Sequence, residues 1–154
     1  MPEPIKRHVL LRPLSREHHH GLLLCWKIRT GLKNNTEPFR IKRYADWFFE
    51  KHLVPHFEIE EQQLFPILGH KNELVQQAIS EHRRLEELFH SDTHLPIILE
   101  LIGAELDHHI RFEERVLFNE IQKIATEAQL QLLEEIHRDI ADSEDWDDCF
   151  WEET

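Results

Sequence analysis

The chain has 154 residues, which suits one domain with a sizeable core and gives no reason to expect a second. Its 30 acidic and 18 basic residues leave a net charge of -12 with histidine neutral, which argues against a nucleic-acid or anionic-membrane partner, since both need a basic face. Thirteen histidines are the anomaly, and with only Cys25 and Cys149 to offer sulfur, any metal must be held by nitrogen and oxygen.

Met1-Pro2-Glu3-Pro4 opens no apolar leader, and runs such as Leu22 to Trp26 are far too short to span a membrane, so the expected location is the cytoplasm. Four glycines and no alternating Val, Ile or Thr runs leave little material for strands, and the chain reads all-α. The first helix is predicted from an N-cap at Ser15 to about Lys33, ending in Asn34-Asn35-Thr36 ahead of Pro38. The second covers about Phe39 to Phe65, where Pro66 stops it; Pro55 inside it should kink or reset the helix and aim His56 inward. Asn72 is the N-cap expected for the third helix, running to about His90, and Pro96 marks the start of the fourth, running to about Lys123. Thr126 and Gln129 have capping-box form and open a short fifth helix to about Ala141. Residues 1–141 are thus expected to form a bundle. Residues 142–154 form an acidic tail that is expected either to be solvated, as its charge suggests, or to dock on the bundle or on a protein partner through Trp146, Phe150 and Trp151.

One motif occurs twice. His56-Phe57-Glu58-Ile59-Glu60-Glu61-Gln62-Gln63-Leu64-Phe65 returns as His109-Ile110-Arg111-Phe112-Glu113-Glu114-Arg115-Val116-Leu117-Phe118, and both copies read H-x-x-x-E-E-x-x-L-F. Residues four apart share a helix face, so each copy aims an imidazole and a carboxylate at one spot, as a metal requires. A Glu-His pair precedes each copy, Glu17-His18 and Glu81-His82. Folded together, the halves would bring His18, His56, Glu60, His82, His109 and Glu113 to one centre, the plan of a dinuclear site in a four-helix bundle.

A lone histidine on an apolar stripe is ordinarily a satisfied core residue. Here four different helices each carry one, and a dry core holding four imidazoles and two carboxylates would cost several kcal/mol unless something paired them. His82 shares its face with Leu74, Val75, Ala78, Ile79, Leu85 and Phe89; His56 with Phe48, Phe49, Leu53 and Leu64; His109 with Leu101, Ile102, Leu106, Phe112, Val116 and Leu117. On the first helix Leu14, Gly21, Leu22, Cys25, Ile28 and Leu32 fall with His18, which is preferred to His19. Gly21 leaves room for a ligand or, more simply, for a close helix contact. His52, one turn before His56, is a candidate partner of a ligand, whereas Glu61 and Glu114 read as surface or salt-bridging groups.

From Leu14 to Glu135 the chain resembles the hemerythrin-like, or HHE cation-binding, domain, through Leu14-Ser15-Arg16-Glu17-His18, both H-x-x-x-E-E-x-x-L-F copies and Glu81-His82. The resemblance implies an up-and-down four-helix bundle around two non-haem irons, with Glu60 and Glu113 bridging and His18, His56, His82 and His109 completing the shells. Oxygen-carrying members have H-x-x-x-H on the third helix and H-x-x-x-x-D on the fourth; this chain has His82-Arg83-Arg84-Leu85-Glu86 and His109-x-x-x-Glu113, one imidazole fewer. Two irons need about twelve donors. Four imidazoles, two bridging carboxylates and a bridging oxygen supply about ten, leaving about two positions open unless Glu81 or Glu86 closes one. In related proteins implicated in repairing iron centres the Glu of the Glu-His pair is a ligand, which adds Glu81 to the expected set.

The expected function is a di-iron protein that binds or senses O2, reactive oxygen species or nitric oxide, or buffers iron. A second reading is an oxidoreductase that consumes peroxide or nitric oxide, and a third is a metal-free or zinc-loaded interaction bundle.

Overall fold

The computed structural model of the protein describes residues 6–137 and 146–153. Among them there is no strand, as the sparse glycine and missing alternation predict, and four helical arms form the bundle. Helix α1 (Arg12–Lys33) is the first arm. The second is α2 (Pro38–Phe48) continued through Phe49–Leu53 into α3 (Val54–Ile59), with Glu60–Leu64 and Phe65–Ile67 beyond it. Helix α4 (Glu73–Phe89) is the third, and α5 (Leu95–Phe112) continued through Glu113–Leu117 into α6 (Phe118–Ile124) is the fourth. The connections at residues 34–37, 68–72 and 90–94 are short, so successive arms run antiparallel and the topology is up-and-down. Helix α7 (Glu127–His137) packs across one end.

Local chemistry explains most boundaries. Asn72 caps α4 by accepting from the amides of Leu74 and Val75, and Thr126 and Gln129 exchange side-chain and backbone hydrogen bonds as a capping box. One expected start shifts, and the expected reset at Pro55 is present. Helix α1 starts before Ser15, with Leu11 as its N-cap residue and Pro13 in its first turn, and the Ser15 hydroxyl is spent on Glu114. At Pro55, which has no amide to donate, the helix is reset: Phe49–Leu53 is wound wider, the Val54 amide reaches back to the Phe49 carbonyl, and α3 begins with Pro55 in its first turn. The predicted end of the fifth helix at Ala141 lies outside the described residues.

Two apolar clusters fill the bundle. One holds Leu24, Ile28, Tyr44, Phe48, Leu85 and Leu106; the other holds Leu14, Leu64, Phe65, Ala78, Leu117 and Phe118. His18, His56, Glu60, His82, His109 and Glu113 fall between them along every arm. The described part of the tail folds back on the first cluster. Phe150 is fully buried there, beside Gly31, where a Cβ would stand 2.8 Å from the Phe150 ring and from Ile41. Trp146 and Trp151 lie against Tyr44, and Arg40 pairs with Asp148 and Glu153, so these aromatics dock on the chain itself. Among the described residues no helix is long and apolar enough to cross a membrane.

Candidate metal centre

Each arm delivers one imidazole to the layer between the clusters, and the second and fourth arms add a carboxylate one turn on. His18, His56, Glu60, His82, His109 and Glu113 are all buried, while His19 is exposed, which settles the phase of α1. Gly21 serves a helix contact: a Cβ there would stand 2.7 Å from Ile110 Cδ1.

The donor atoms converge. Glu60 Oε1 lies 3.1 Å from His82 Nε2, and its Oε2 lies 3.1 Å from His56 Nε2 and 3.6 Å from His18 Nε2. Glu113 Oε1 lies 3.2 Å from His18 Nε2 and 2.8 Å from His109 Nε2. Two groups result, His18-His56-Glu60-Glu113 and Glu60-His82-His109-Glu113, each with its donor atoms within 4.8 Å of one another and both sharing the two carboxylates. Donors about 2.1 Å from a common ion stand about 3 Å apart when adjacent and about 4 Å when opposite, so these separations suit a coordination shell. The atoms are poorly satisfied otherwise. Both oxygens of Glu60, both of Glu113 and the Nε2 atoms of His82 and His109 are buried without a hydrogen-bond partner, and His18 Nε2 faces His56 Nε2 at 3.1 Å. Buried polar groups are rarely left so, and a cation on each side of the shared carboxylates would satisfy them. The residues fit a metal pair.

A ring of outer carboxylates surrounds this layer. His56 Nδ1 donates to Glu17, His82 Nδ1 to Glu61 and His109 Nδ1 to Glu81, each at 2.7 Å. Glu114 faces His18 Nδ1 at 3.7 Å. The pattern follows the duplication: the Glu of each Glu-His pair holds the histidine of the next arm, and the second Glu of each E-E pair faces the histidine of the arm after it, with the fourth arm closing on the first. The Phe that ends each motif does the same, since Phe65 lies 5.7 Å from His82 and Phe118 stacks on His18 at 5.1 Å. Glu81, expected as a ligand, therefore sits behind His109 and outside both donor groups. Glu61 and Glu114, expected as surface or salt-bridging groups, pair with Arg83 and Arg7 and in addition stand partly buried beside imidazoles. The signal in the sequence was that both copies carry the second Glu and both Glu-His pairs carry the first. Glu86 pairs with Arg83 at the surface, and His52 lies against Trp47 and Phe48.

The charges are mutually dependent. Burial alone would push the imidazoles down, but Glu113, Glu114 and Glu60 raise His18 well above its ordinary value, Glu60 and Glu17 raise His56 to about 9, and Glu113 and Glu81 raise His109 to about 10. Burial opposes ionisation of Glu60 too, and His56, His18 and His82 nevertheless hold its carboxyl well below the usual range. Without metal these charges favour protonated imidazoles facing an ionised Glu60.

A cavity of about 50 Å³ adjoins His18, His56 and His109, walled by Phe48, Leu53, Phe57 and Leu106. On a measure by which about 10–15 Å³ holds one water, it has room for a small ligand. His82 does not line it; its ring is stacked by Phe57 at 3.8 Å.

The model of the hemerythrin HHE cation-binding domain matches residues 9–96, more than half of the chain, including His18, His56, Glu60 and His82. No curated protein and no solved structure matched the chain. The match ends at the start of α5, and the bundle brings His109 and Glu113, which lie beyond it, onto the same two donor groups. The family match and the four-arm helical bundle agree, and the chain belongs to the hemerythrin HHE cation-binding domain family.

Proposed function

We propose that the protein binds two irons, one by His18 and His56, the other by His82 and His109, with Glu60 and Glu113 shared, and that it binds or senses a small ligand such as O2, peroxide or nitric oxide. The observation that carries this reading is the pair of buried donor groups with shared carboxylates, whose oxygens have no other partner. Such a pair supplies, when bound, coordination positions for a small ligand and a change of redox state. The chain does the rest. The outer carboxylates hold protons on Nδ1, so the Nε2 lone pairs of His56, His82 and His109 face inward in one tautomer. Phe57 and Phe65 exclude water around His82, and the apolar-walled cavity beside His18 and His56 gives a small guest access to that side of the pair.

Metal analysis with a visible spectrum of protein purified without chelator tests this. About two irons per chain with near-ultraviolet to visible absorption from the bound iron is the expected result; one tightly bound metal, or two zincs after growth in iron-rich medium, defeats it. Slow stoichiometric change of that spectrum on adding peroxide or nitric oxide is expected of a sensor, and rapid catalytic loss of either would mark an oxidoreductase instead.

A further inference from the structure

The two metal positions are equivalent by sequence and unequal by structure. Glu61 and Glu114 occupy the same place in the two motif copies, yet Glu61 accepts from His82 Nδ1 at 2.7 Å while Glu114 stands 3.7 Å from His18 Nδ1, beyond hydrogen-bond reach. His18 Nδ1 is correspondingly buried with no hydrogen-bond partner. Glu114 is held back from the far side of its carboxylate. Its Oε2 accepts from the Ser15 hydroxyl at 3.0 Å and pairs with Arg7 at 3.5 Å, and Arg7 is itself fixed by the Glu114 carbonyl at 2.5 Å, by Asn119 and by Gln122. Glu61 is also paired, with Arg83 through Oε1, and in both glutamates the other oxygen is the one turned to the imidazole; Glu114 differs in being held on its far oxygen by two groups, Ser15 and Arg7.

The consequence concerns affinity. Both imidazoles of the His82/His109 group are held in the tautomer that presents Nε2, whereas only one of the His18/His56 group is. An imidazole without an outer acceptor must be oriented when the metal binds, and losing such a partner typically weakens a site about 10- to 100-fold. Resting on the metal-pair reading above, we infer that the His82/His109 position fills first and the His18/His56 position about 10- to 100-fold more weakly, with Ser15 and Arg7 setting the difference as positioning residues that draw Glu114 away from His18.

Anaerobic titration of Co2+ into metal-free protein decides this, because the visible absorption of Co2+ reports its ligands as well as its uptake. The expected result is two resolved steps per chain with distinct spectra. His18→Ala should keep the tighter step and lose the weaker, and His82→Ala should do the reverse. Ser15→Ala, which releases one oxygen of Glu114 without touching the donor groups, should tighten the second step several-fold and leave the first unmoved. It remains decisive should either histidine variant fail to fold. Two steps of equal affinity, or a Ser15→Ala variant that moves both steps alike, overturns the inequality while leaving the metal pair intact. Absence of any uptake overturns the metal reading together with it.

Discussion

Glu60 is the most connected residue of the centre. Its two oxygens face opposite donor groups, with His82 beyond one and His56 and His18 beyond the other, and its carboxyl stays ionised with no accessible surface. Removing it leaves three raised imidazoles around a cavity. Breaking a buried charge pair from one side costs about 3–5 kcal/mol because the surviving charge is stranded. Glu60→Ala should therefore abolish uptake of both metals and lower the unfolding free energy of the metal-free protein by about that amount, read by denaturant unfolding without metal. Unchanged metal-free stability would mean that the imidazoles are neutral before metal arrives. Glu81 belongs to a different order of effect, since it touches His109 from behind and meets no other donor of the pair.

At the scale of elements, the second and fourth arms depart from regular α-helix at the duplicated motif. In both copies the helix widens from the first Glu to the Leu: the Phe65 amide reaches back five residues to the Glu60 carbonyl, and the Phe118 amide to the Glu113 carbonyl. The wider turn lets adjacent glutamates reach opposite edges of one imidazole, Glu60 facing His82 Nε2 from the centre while Glu61 takes Nδ1 behind it. Helix α4 has no such irregularity and relies on its ends. Asn72 satisfies two amides of its first turn, so Asn72→Ala should destabilise the fold by about 1 kcal/mol. With no contact to the donor groups, it should leave metal stoichiometry unchanged. Thermal unfolding alongside metal analysis checks both halves, and loss of metal in this variant would show that the end of α4 governs the position of His82.

Across the whole molecule, the buried layer links folding, protons and metal. Because the folded-state values of His56 and His109 are raised to about 9 and about 10, their contribution to the stability of the metal-free protein is complete below the ordinary histidine value and is lost as pH rises through those values. A bound metal would take the place of the Nε2 protons and leave those on Nδ1, hydrogen-bonded to the outer carboxylates, so uptake at neutral pH should release protons. Apparent affinity should rise from pH 7 towards pH 9, by up to about tenfold per unit for each proton displaced. Titration in weakly buffered solution with a pH indicator measures the release directly. Affinity independent of pH over that interval would contradict the imidazolium network.

The sequence alone determined the four arms, the caps at Asn72 and Thr126, the inward phase of His18 over His19 and the six donors that meet in the core. These follow from periodicity and local backbone chemistry, which set where a side chain points about its own helix axis. Tertiary structure decided which atoms meet across axes. That Glu17 holds His56, that Glu81 stands behind His109, that Glu61 reaches an imidazole and Glu114 falls short, and that Phe150 returns to Gly31 all depend on how far each arm is shifted and rotated against its neighbours. Nothing in a single helix's pattern records those offsets, because they are set by the joint packing of the two apolar clusters that enclose the polar layer.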